Sequence, residues 1–173
     1  MEKSRLKAVI ESLLFVSNKP LSLQKIKEVL PDEDSNLIKD TLAELENDYN
    51  QHQSGLKLTE VAGGYQFSTR SEYAEWIKKL HKDSATFKLS QSALETLSII
   101  AYKQPISRAE IEEIRGVDTS GVIYNLLEKK LIKVAGRKES LGHPLLYGTT
   151  NEFLRYFGLN NISEIPLFEE IKE

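Results

Sequence analysis

Apolar residues recur at helical spacing from the start of the chain. Leu6, Val9, Ile10, Leu13 and Leu14 lie three and four apart, which predicts a helix from about Arg5 to Val16. Pro20 closes the following turn, and Ser22 stands where an N-cap belongs before "LQKIKEVL". Pro31 stops that second helix, because its ring disfavours helical backbone before it. Asp34 or Ser35 is placed to cap a third helix, whose apolar face is Leu37, Ile38, Leu42 and Leu45, with Tyr49 near its end. The period then changes from helical to alternating. "LKLTEVAGGYQFSTR" reads apolar-polar on both sides of Gly63-Gly64, the pattern of a hairpin. Ser71 stands before a further helical stretch, "EYAEWIKKLH".

After the polar stretch "HKDSATFK" the pattern starts again. Ser90 precedes "QSALETLSIIAYK", Pro105 makes the turn, and Ser107 with Glu110 has capping-box spacing for the next helix. Gly116 ends that helix, Thr119 or Ser120 caps "GVIYNLLEKK", and "LIKVAG" and "LLYGTT" form a second hairpin around "RKESLGHP". Asn151 opens a short helix, "EFLRYF", closed by Gly158. The two halves align residue by residue with one insertion: Glu11 on Glu95, Leu13 on Leu97, Val16 on Ile100, Pro20 on Pro105, Ser22 on Ser107, Ile26 on Ile111 and Val29 on Ile114. Helix, turn, helix, turn, helix, hairpin is the layout of a winged helix. The expected fold class is therefore mainly α with small β-hairpin wings (α+β), as two tandem winged-helix domains. Residues 1–82 form the first, 83–158 the second, and 159–173 an acidic tail expected to be poorly ordered unless docked. Modules this small bury little surface and are marginal alone, so packing partners are expected.

Composition narrows the function. Hydrophobic residues make up 40% and charged ones 28% of the 173 residues, an ordinary soluble balance. The absence of cysteine excludes disulfides, thiolate metal sites and a thiol nucleophile. His52, His81 and His143 are far apart and form no ligand pair, so no metal or other cofactor is expected. No apolar run reaches the roughly 18 residues that span a bilayer. The opening "MEKSRLKAVIESLLF" lacks a small-residue cleavage site, and a cytoplasmic protein is expected. The acidic clusters at Asp32-Glu33-Asp34 and at Glu110, Glu112 and Glu113 sit at helix starts, where the helix dipole favours them without any catalytic purpose. No phosphate-loop or nucleophile motif is present, and no enzyme is expected.

A winged helix invites DNA, and the charge pattern argues against it. In a helix-turn-helix the second helix of the motif leads into the groove with its N-terminal residues. Here that helix opens "DTSGVIYN", with no cation at the front, and its counterpart opens "DEDSNLIKD". Net charge is −3 overall, and residues 88–158 carry ten Lys and Arg against eight Asp and Glu, a net of +2. Lys133, Arg137 and Lys138 on the second wing offer at most a weak, salt-sensitive DNA contact. Protein binding fits better. Tyr102, Tyr124, Tyr147, Tyr156 and Phe157 supply aromatic area of the kind enriched at interface hot spots. The first helix also has more apolar residues than one face requires, and Leu13, Phe15 and Val16 are the candidates for a symmetric dimer interface.

The runs "ALETLSIIAYKQPISRAEIEEIRGV", "LIKVAGRKE" and "GHPLLYGTTNEFLRYFGL" closely resemble the segregation and condensation protein B family, over nearly the whole chain from about Arg5 to Phe168. One departure is His143, where that family more usually shows arginine. The resemblance implies a non-enzymatic bacterial subunit of two winged helices that pairs through its N-terminal domain. It implies a grip on the central segment of a kleisin, segregation and condensation protein A, which bridges the heads of an SMC ATPase in a complex that condenses and partitions chromosomes. The candidate gripping surface lies in the second copy: Tyr102, Lys103, Gln104, Pro105 and Arg108 at one corner, with Tyr156 and Phe157. A winged-helix DNA-binding regulator is the alternative expectation.

Overall fold

The computed structural model describes residues 1–51, 54–80 and 88–166. His52, His81, most of the "HKDSATFK" stretch and the last seven residues lie outside the described residues. The chain divides into two compact units, Met1–Ala85 and Thr86–Glu173.

In the first unit, α1 (Lys3–Val16), α2 (Leu23–Val29) and α3 (Ser35–Gln51) precede the hairpin β1 (Leu56–Val61) and β2 (Gly64–Thr69). Leu6, Ile10 and Leu14, one turn apart on α1, are buried against Ile26 of α2, Ile38, Leu42 and Leu45 of α3, and Leu58 of β1. Burial of each such side chain is worth about 1.5–3 kcal/mol. Ser22 caps α2 by accepting from the Lys25 amide, and Asp34 begins α3 by accepting from the amides of Asn36 (2.8 Å) and Leu37 (3.2 Å). Tyr49 ties α3 to α1 by donating its hydroxyl to Glu11, and its ring packs 4.7 Å from that of Phe67 on β2.

The hairpin turn sits one residue earlier than its Gly-Gly pair suggests. Ala62 (φ 52°) and Gly63 (φ 74°) are the two loop residues, both left-handed as a tight hairpin turn requires. Gly64 is already paired, opposite Val61. Its lack of a side chain has another cause: a Cβ there would lie 2.9 Å from the backbone of Pro20 and Leu21. Leu21 runs alongside as a third strand position, exchanging backbone hydrogen bonds of 2.8 and 3.0 Å with Tyr65. Ser71 does not cap the next helix either. It lies inside a single 3-10 turn, Ser71–Tyr73, that leads into α4 (Ala74–Leu80).

The second unit repeats this order with α5 (Gln91–Lys103), β3 (Ile106–Ser107), α6 (Arg108–Arg115), α7 (Ser120–Glu128), β4 (Ile132–Arg137), β5 (Leu145–Thr149) and α8 (Asn151–Phe157). The strand order is β3-β5-β4, all antiparallel. Ile106 pairs with Tyr147 where Leu21 meets Tyr65 in the first unit, so the repeat holds in space as well as in sequence. Leu97, Ile100, Ile111, Leu126, Leu131 and Ile132 form the buried centre. The Ser107–Glu110 capping box forms, and Gly116 and Gly158 close α6 and α8 in the left-handed conformation. Neither Thr119 nor Ser120 caps α7 with its side chain. Thr119 holds the N-cap position but is buried and donates to Glu112, and the Asp118 carboxylate before it accepts from the Ser120 amide at 3.0 Å.

The beginning of the expected loose tail is folded. Gly158 turns the chain back, and the amide of Leu159 donates to the Leu154 carbonyl at 2.8 Å. Leu159, Ile162 and Ile165 then pack against the core of the second unit, around a 3-10 turn at Ile162–Glu164 capped by Asn161. Apolar side chains at every third position explain why this acidic segment docks. Residues from 167 onward lie outside the described ones.

Candidate functional site

The second unit presents its candidate residues at two helix ends. Tyr102 and Lys103 lie in the last turn of α5 and are exposed; Pro105 and Arg108 are exposed on the turn into α6. Gln104, between them, is not a free contact. Its Oε1 accepts from the amide (2.7 Å) and the hydroxyl (3.0 Å) of Thr149 on β5, and its Nε2 donates to the Ala101 carbonyl at 3.2 Å. A half-buried amide so engaged pins α5 to the sheet. Arg108 pairs with Glu112 at 3.6 Å on the surface of α6.

Tyr102 and Phe157 line the same apolar groove, of about 240 Å³, with Leu97 and Ala101 of α5, Phe153 of α8, and the folded tail. Tyr102 is 42% and Phe157 43% exposed, so both rings remain accessible. Phe157 is buttressed by Phe153 (ring centroids 4.8 Å) and by Tyr156 in an edge-on contact (5.0 Å). Tyr156 itself faces a second recess, with Lys129, Leu131, Glu152 and Arg155. Of the other aromatics singled out, Tyr147 is core at 8% exposure, whereas Tyr124 on α7 is 70% exposed. The tail residues Leu159, Ile165 and Pro166 also line the groove and were missed as site residues. Their signal was the three-residue apolar spacing within an acidic segment.

The leading end of α7 carries a carboxylate instead of cations. Hydrogen bonds from the Ser120 amide and hydroxyl hold Asp118 below its ordinary range, keeping it charged. On the second wing, Lys138 is committed to Glu110 at 2.7 Å. That contact, with the Ser107 hydroxyl and amide, pulls the Glu110 carboxyl down to about 2. Arg137 donates to the His143 carbonyl at 3.1 Å, and Lys133 is exposed. A wing with one of its three cations neutralised makes a poor phosphate clamp.

In the first unit, Phe15 and Val16 at the end of α1 are 76% and 71% exposed, while Leu13 is half-buried. Phe15 and Val16 border a shallow recess with Glu11, Ser12, Tyr49 and Phe67. Among the described residues no group of three or more His, Cys, Asp or Glu side chains is placed to hold a metal ion, and no helix is long and apolar enough to cross a membrane.

The family model for the segregation and condensation complex subunit ScpB matches residues 8–168. The chain belongs to this family. Segregation and condensation protein B of Syntrophotalea carbinolica is 46% identical over 173 residues, covering 100% of this chain and 87% of that protein. The protein of that name from Clostridium perfringens strain SM101 is 48% identical over 176 residues, covering 99% and 90%. A solved dimer of an ScpB N-terminal domain complexed with an ScpA peptide is 33% identical, with a TM-score of 0.42, and covers 44% of this chain and 95% of that one. The matched span runs across both units.

Proposed function

We propose that both units are winged helices and that the chain is a non-enzymatic accessory subunit of a bacterial SMC condensin-like complex, acting in the cytoplasm at the nucleoid. It pairs with a second copy through its first winged helix, residues 1–82, with Phe15 and Val16 at the contact and Leu13 behind them. Its second winged helix, residues 83–158, holds the central segment of the kleisin ScpA, and through it the SMC ATPase, in support of chromosome condensation and partition. The gripping surface is Tyr102, Lys103, Pro105 and Arg108 with Tyr156 and Phe157; Gln104 supports it from behind. No cofactor takes part. The observation that carries this reading is the convergence of Tyr102 and Phe157, 55 positions apart in the chain, on one apolar groove, while the helix that would read DNA is led by Asp118. A largely disordered kleisin segment loses chain entropy when held, and buried apolar and aromatic side chains must offset that loss.

The test is retention of the ScpA central segment by the full chain. Replacing Tyr102 and Tyr156 together by alanine should weaken retention at least about tenfold, as removal of interface hot spots does, with little change in the melting temperature. Unchanged retention would place the grip elsewhere, the first unit included. A large fall in melting temperature would mark these tyrosines as core. For the DNA-binding alternative, Lys133, Arg137 and Lys138 would have to hold a specific duplex at near-physiological salt. A mobility-shift titration should show weak binding that fades as salt rises.

A further inference from the structure

The folded part of the tail touches the gripping surface at a polar point. After the turn at Gly158, the segment caps itself: Asn161 accepts from the Ser163 amide at 3.0 Å, and the Asn160 amide donates to Glu164 at 2.9 Å. Its apolar side chains are spent on the core of the second unit. At its far end the Tyr102 hydroxyl donates to the Pro166 carbonyl at 2.6 Å. The tail thus holds the tip of Tyr102 while leaving the ring open. It also closes the groove: Leu159, Ile165 and Pro166 form a third side, facing α5 and α8.

We infer that Leu159–Pro166 is a positioning element of the partner-binding surface: it fixes Tyr102 through the Pro166 carbonyl and supplies the third wall of a groove that receives an apolar side chain of the bound kleisin segment. The inference rests on the proposed grip, with which the groove is continuous through Tyr102 and Phe157. Two features set the chemistry of the occupant. Among the described residues no charged side chain lines the groove, so a charged residue entering it would lose its hydration without a partner there. A tyrosine held at its hydroxyl has less side-chain freedom left to lose on binding, which is how preorganisation raises affinity. The tail is therefore part of the site and not a trailing end.

The experiment uses the full-length chain and a fluorescently labelled ScpA central segment, with affinity read by anisotropy. Tyr102→Phe keeps the ring and removes the hydroxyl; it should weaken binding by roughly three- to tenfold, the worth of one hydrogen bond, with the melting temperature nearly unchanged. Ile165→Ser removes part of the wall and should weaken binding further. Because that variant could also loosen the fold, the wild-type protein with labelled isoleucine methyl groups provides a second reading. On adding the unlabelled segment, the Ile165 methyl signal should shift. Binding by the wild type with an unmoved Ile165 signal and an unaltered Tyr102→Phe affinity would overturn this inference and leave the grip standing. Failure of the wild type to bind would overturn both.

Discussion

Gln104 occupies a corner that looks made for contact, yet both ends of its amide are bound inside the unit. Thr149 uses the oxygen twice and Ala101 takes the nitrogen. Its truncation leaves the Thr149 amide without its acceptor, so Gln104→Ala should cost about 1–3 kcal/mol of stability in urea unfolding. A neutral result would return Gln104 to the surface. Gly64 makes a parallel case. A methyl group there would press on the backbone of Pro20 and Leu21, and backbone cannot give way as a flexible side chain can. Gly64→Ala should destabilise by about 1–3 kcal/mol, as overpacking does, whereas a small side chain in place of Gly116, which has open space around it, would meet only the strain of its left-handed backbone. Pairings such as Gln104 with Thr149 were not legible in the chain, because they join positions 45 apart and depend on how the sheet lies against α5.

At the scale of elements, the helices were legible and some of their ends were not. Apolar residues three and four apart identified α1, α3 and α5, and Ser22, Ser90 and Ser107 cap the helices they precede. The ends that differed have local causes. Thr119 stands at the N-cap of α7 with its hydroxyl turned to Glu112, which leaves the Ser120 amide to the Asp118 carboxylate, a strong acceptor. Ala62 takes a left-handed turn position that glycine spacing assigns to its neighbours. Two contacts between elements make pH predictions. The Glu110 carboxyl, lowered from 4.5 to about 2 by Lys138 and Ser107, stabilises the fold when charged. That contribution is complete above 4.5 and fades as pH falls towards 2, so the acid side of the melting-temperature profile should be flatter in Glu110→Gln. Tyr49 behaves oppositely. Donation to Glu11 pushes its hydroxyl up from 10 to about 12. The protonated phenol stabilises the fold fully below pH 10 and the effect is lost as pH rises towards 12. Tyr49→Phe should remove that alkaline dependence; an unchanged profile would mean the hydroxyl link between α3 and α1 contributes nothing.

At the scale of the whole chain, a small helical module is used twice with different surfaces left open. The first unit exposes Phe15 and Val16; the second exposes Tyr102, Tyr124, Tyr156 and Phe157. The expectation of a protein-binding module rests on features that are written in sequence, the missing catalytic motifs and the missing leading cations. Which aromatics are core is not written there, since Tyr147 and Tyr124 differ in exposure only through the third dimension. Phe15 lies outside the buried core of its unit, so Phe15→Asp should halve the mass in solution without changing the helical signal in circular dichroism. The most direct test of the account is multi-angle light scattering of the full chain, alone and mixed with the central segment of ScpA. A paired, kleisin-holding chain should show a mass near twice the 19.7 kDa of one chain and a further rise on mixing. A mass of one chain in both samples would contradict the account.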